Sequence, residues 1–117
     1  MDSEKLDKLL NEFNQQIVNK EYKKVVDSCR ELLKKNPKEA DLYYYMARAE
    51  HGLKDIKSAI KDFTSALRYN REYQKAYCNR GLLFIKEGNI ILQSDKESIV
   101  NGQGKTVDRY FREVFAC

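Results

Sequence analysis

Residues equipped for chemistry are few and scattered in this chain of 117. His51 is the single histidine, and Cys29, Cys78 and Cys117 form no Cys-x-x-Cys pair. Closely spaced Cys and His ligands, the usual mark of a metal site, are missing, so no metal or other cofactor is expected. No carboxylate pair for acid–base work and no Ser–His arrangement for nucleophilic attack is legible. His51 reads as a helix-end residue satisfied by solvent or backbone. The reading is therefore of a protein that is not an enzyme.

The stretch Ile99 to Thr106 deserves a separate test because it ends in Gly-x-Gly-Lys-Thr (Gly102, Gly104, Lys105, Thr106). A phosphate-cradling loop needs a glycine five residues before the Gly-Lys pair, and Ile99 stands there. A chain this short also has no room for the parallel sheet that supports such loops. The glycines at 101–104 read instead as a hinge between helices, and nucleotide is not expected.

The 22 basic and 18 acidic residues are interleaved, which describes a solvated helical surface rather than a nucleic-acid face. No apolar run reaches membrane-spanning length. Residues 1 to 20 carry acids and lack the apolar core of a secretory signal. An odd, dispersed set of cysteines then reads as reduced thiols, and the expected location is cytoplasmic.

The elements behind these residues are helical. One proline and five glycines leave few breakers, and a mean hydropathy of −0.73 with 42% hydrophobic residues suits amphipathic helices around a modest core. Sliding the sequence by 34 residues aligns Leu9 with Tyr43 and Tyr77, and Phe13 with Ala47 and Gly81. It also aligns Val25 with Ala59, Val26 with Ile60, Cys29 with Phe63 and Leu33 with Leu67. The turns Lys20-Glu21, Lys54-Asp55 and Gly88-Asn89 fall in phase. Within each unit the apolar residues recur at helical spacing, so each unit is predicted to be a helix, a turn and a second helix. Asn36-Pro37-Lys38-Glu39 is predicted to cap the start of the third helix, and Asn70 that of the fifth. Small residues at Ala47, Ala59, Ala66 and Gly81 allow helices to approach closely.

This pattern resembles the tetratricopeptide-repeat family. Tyr43, Met46, Ala47, Lys54-Asp55, Ala59, Phe63 and Ala66 carry the likeness best, with Pro37 closing the first repeat. The resemblance implies an all-α solenoid of about two and a half helix–turn–helix repeats, at 6–39, 40–73 and partially 74–92, with a C-terminal capping helix. Residues 1–89 would form the array and 90–117 a divergent helical tail. First helices of this family line a concave groove, which places Asn14, Tyr44, Tyr45, Arg48, Lys75 and Asn79 along it. In the triple Tyr43-Tyr44-Tyr45, one ring suffices for the core, and Tyr44 and Tyr45 are expected to be partly exposed anchors. The five-residue clamp by which some members hold a terminal carboxylate is kept only at Asn14 and Lys75. Leu10, Tyr45 and Asn79 replace the other donors, so that clamp is not expected. Arg48, Lys75 and His51 still favour an acidic peptide.

The resemblance fades after Asn89. Val107, Tyr110, Phe111, Val114 and Phe115 nevertheless recur at i, i+3, i+4, i+7 and i+8, a wide aromatic face that must be covered. A lid on the array is expected, leaving a monomer. The alternatives are a self-associating adaptor dimerised by this helix, or a shortened form of a longer repeat protein. The function expected is a protein-interaction module (scaffold, co-chaperone or assembly adaptor) that takes a peptide or helix from another protein, with no nucleic acid or membrane partner.

Overall fold

The computed structural model describes residues 1–86. Five α-helices account for most of them and no strand occurs among them: α1 (Ser3–Val18), α2 (Tyr22–Lys35), α3 (Ala40–Gly52), α4 (Ile56–Tyr69) and α5 (Gln74–Lys86). The chain divides into two compact units, one of Met1–Arg71 and a second beginning at Glu72. The expected boundary at residue 89, the hinge at 101–104 and the aromatic face from Val107 to Phe115 lie outside the described residues.

In the first unit α3 packs against α4, α2 and α1. Its buried residues are Ala40, Leu42, Tyr44, Tyr45, Met46, Ala47, Ala49 and Glu50, so it is covered around most of its circumference. The flanking helices bury one stripe each: Val25, Val26 and Cys29 on α2, and Ala59, Phe63, Ala66 and Leu67 on α4. Alanines 47, 59 and 66 are fully buried, as close helix contacts require.

The 34-residue period is also a period of backbone hydrogen bonds. Lys20 N–H donates to Ile17 O and Glu21 N–H to Gln16 O; 34 residues on, Lys54 N–H donates to His51 O and Asp55 N–H to Glu50 O. Both sets close a helix C-terminus by the Schellman pattern, which needs its C′ residue in the left-handed region. Lys20 (φ 62°) and Lys54 (φ 65°) occupy it. A lysine pays a steric penalty there that glycine escapes. Lys54→Gly is therefore expected to stabilise the unit by about 0.5–1 kcal/mol, read as a rise of a few degrees in thermal midpoint. Lys61→Gly, in the interior of α4, should lower stability by about 1 kcal/mol instead.

The caps differ from expectation. Asn36 and Asn70 end α2 and α4 rather than begin the helices that follow, their N–H groups donating to Leu32 O and Ala66 O. The Asn36 amide also donates to Leu32 O at 3.0 Å, so its side chain is committed to the helix behind it. Pro37 lies in the intervening turn, and Glu39 precedes α3 without a side-chain cap. Asp55 caps α4 with its side chain, accepting from Ser58 N–H at 3.3 Å.

Candidate functional site

The tyrosine triple is placed otherwise than its spacing led us to expect. Tyr44 and Tyr45 are buried, at 5% and 9% exposure, and Tyr43 is the half-exposed ring. The reason is the central position of α3: with helices on several sides, two adjacent residues can both face packing. Tyr44 meets Tyr45 edge-on at 5.2 Å and Phe63 of α4 at 5.7 Å, while Tyr45 reaches Phe13 of α1 at 6.2 Å. Tyr43 stacks on Tyr69 at 5.6 Å, and its hydroxyl donates to Pro37 O at 2.8 Å.

These buried rings form a floor under Arg48. Its guanidinium carbon lies 5.4 Å from the Tyr45 ring centre and 5.8 Å from that of Tyr44. Arg48 Nη1 donates to Asn14 Oδ1 at 2.8 Å, and Asn14 Nδ2 donates to the Tyr45 hydroxyl at 3.1 Å. Asn14 and Arg48 are 34 residues apart, in the same phase of α1 and α3. The result is a half-exposed cation fixed by one amide and two aromatic faces. A guanidinium has five N–H donors, and among the described residues no carboxylate pairs with this one. The ion pairs Lys24–Glu21 and Lys34–Glu31 lie elsewhere, on the surface of α2.

Asn14, Tyr44, Tyr45 and Arg48 are thus brought together. Lys75 and Asn79 belong to the second unit, one turn apart on α5, where Asn79 Nδ2 donates to the Lys75 carbonyl at 2.7 Å. Lys75 is exposed and Asn79 half-buried. On the same helix the buried Arg80 lies over the rings of Tyr77 and Phe84, at 5.8 and 5.6 Å. His51 is half-buried in the last turn of α3.

A carboxyl pair that the sequence pattern did not disclose sits on the other side of α3. Glu50 is 4% exposed and hydrogen-bonded to Asp62 of α4, and its Oε1 has no partner. Burial first, then the Asp62 hydrogen bond and charge, push its pKa up to about 9, so Glu50 is a neutral acid at neutral pH. Cys29 of α2 is fully buried beside this pair, and burial with the nearby carboxyls pushes its thiol up to about 12. Such a thiol is an inert core residue rather than a nucleophile.

No group of three or more His, Cys, Asp or Glu that could hold a metal ion occurs among the described residues. No described helix is long and apolar enough to cross a membrane. Comparison with models of known protein families gives no match to the chain, and neither does comparison with curated proteins.

Proposed function

We propose that this protein is a non-enzymatic interaction module of the tetratricopeptide kind, docking an acidic peptide or helix at Arg48. The observation that carries the reading is that guanidinium: half-exposed, pre-positioned by Asn14 over Tyr44 and Tyr45, and paired with no carboxylate among the described residues. A donor held in place before binding loses little entropy when a ligand arrives. The duplication of turn and cap hydrogen bonds at 34 residues supports the repeat architecture, in which α1 and α3 are the groove-lining helices of a solenoid. In this reading Tyr44 and Tyr45 orient the cation from beneath rather than touch the ligand. The work is that of a scaffold, co-chaperone or assembly adaptor in the cytoplasm.

The test is selection from a random peptide library on the immobilised full chain, followed by titration of the selected peptides. Selected peptides are expected to carry Asp, Glu or a terminal carboxylate at a fixed position. Arg48→Ala should weaken them roughly 10- to 100-fold, the worth of one charge-assisted hydrogen bond. Arg68→Ala, on the exposed surface of α4, should leave them unchanged. Selection of peptides without an acidic position, or equal binding by Arg48→Ala, would overturn the proposal.

A further inference from the structure

The carboxyl pair opposite the Arg48 face has a consequence independent of any ligand. Glu50 lies on α3, buried, and its hydrogen-bond partner Asp62 lies on α4. The charged and titratable groups facing it are Asp62 from α4, Asp55 from the α3–α4 turn and Arg30 from α2, with the Cys29 thiol of α2 close by. Two of these groups, Asp62 and Asp55, are acids, the Cys29 thiol is neutral and Arg30 is exposed on the surface, so none of them would neutralise a second negative charge within the core. Two carboxyls in hydrogen-bond contact can share one proton but cannot both ionise cheaply in a buried setting. Glu50 Oε1 is buried with no hydrogen-bond donor, which leaves an ionised Glu50 without the hydrogen bonds it would require.

We propose that the Glu50–Asp62 pair is a proton-held latch between α3 and α4, whose opening by alkali loosens the first unit. The sign follows from linkage. In the unfolded chain Glu50 ionises in the ordinary carboxyl range, near 4.5, whereas in the folded unit it keeps its proton up to about 9. Between those limits the folded state binds one proton more, so stability falls as pH rises. One such proton lowers the folding constant by up to about tenfold per pH unit inside the window. Arg48 is two residues from Glu50 on α3, so the same loosening would disturb the Arg48 platform.

Two measurements on the full chain test this. Denaturant unfolding at pH 5 to 9 should show the folding constant of the wild type decreasing with pH, while Glu50→Gln, whose amide can donate to Asp62 as the protonated acid does, should remove most of that decrease. A carbon-detected NMR titration of the wild-type glutamate carboxyls should show one, Glu50, retaining its proton well above the others. The proposal is overturned if Glu50 titrates with the surface glutamates, or if Glu50→Gln keeps the wild-type pH slope. Should Glu50→Gln fail to fold, the wild-type titration decides alone.

Discussion

Replacing Phe63 with alanine is expected to cost the first unit about 3–5 kcal/mol, the usual toll for emptying a buried aromatic site. Phe63 is fully buried on α4 and its ring meets that of Tyr44 at 5.7 Å. The unit runs from Met1 to Arg71, and folded domains hold about 0.05–0.15 kcal/mol per residue, which gives roughly 4–10 kcal/mol in all. One side chain thus accounts for a large share of the total. Urea unfolding followed by circular dichroism should show the midpoint falling by a third or more with little change in slope. Tyr69→Ala, at a ring 39% exposed, should cost well under half as much. A midpoint for Phe63→Ala close to that of Tyr69→Ala would show that the α3–α4 contact is not the centre of this core. Arg48 should suffer as well, because the Tyr44 ring beneath it rests on Phe63.

The helices and their repetition were legible in the sequence because both are written in spacing. The 34-residue offset located Lys20 and Lys54, and these two positions carry the same left-handed backbone and the same Schellman bonds. Small residues marked the close contacts for the same reason: Ala47, Ala59 and Ala66 are at zero exposure. The caps were misplaced because an Asn in a short loop can satisfy the helix behind it as readily as the one ahead. Only the geometry shows the Asn36 amide turned back toward Leu32.

The site was half legible. The same offset puts Asn14 and Arg48 in phase, and that phase is the reason they meet. Assigning Tyr43 to the core and its two neighbours to the surface assumed that α3 has a single buried face. It lies between other helices, so Tyr44 and Tyr45 both turn inward and become the support of the site. Glu50 was missed because a lone glutamate in a helix rich in charge reads as solvent-facing. A signal was nonetheless present: Glu50 follows Ala47 by three residues and Met46 by four, and so shares their face.

The second large effect is expected at Cys29, whose thiol should be close to inert toward alkylating reagents while the unit is folded. Two features protect it in the folded unit. Burial pushes its pKa from 9.0 to about 12, which cuts the thiolate of the folded chain about a thousandfold at any pH below both values. Its side chain is also wholly buried, so the reagent must wait for the helices to open. Iodoacetamide labelling at pH 8, resolved by mass spectrometry on the Cys29 peptide, should run at least about a thousand times slower in the folded chain than in denaturant. Labelling within about tenfold of the denatured rate would remove Cys29 from the core. Because reaction then reports opening, the rate is a gauge of everything that holds α2 against α3. Phe63→Ala should speed it in proportion to the stability lost. Between pH 7 and 9 the wild type should accelerate more steeply than thiol ionisation alone requires, since over that range each opening also releases the proton that Glu50 holds in the folded unit. Glu50→Gln should lose that excess and keep only the slope of a simple thiol, so one label on one buried sulfur separates core packing from the carboxyl latch beside it.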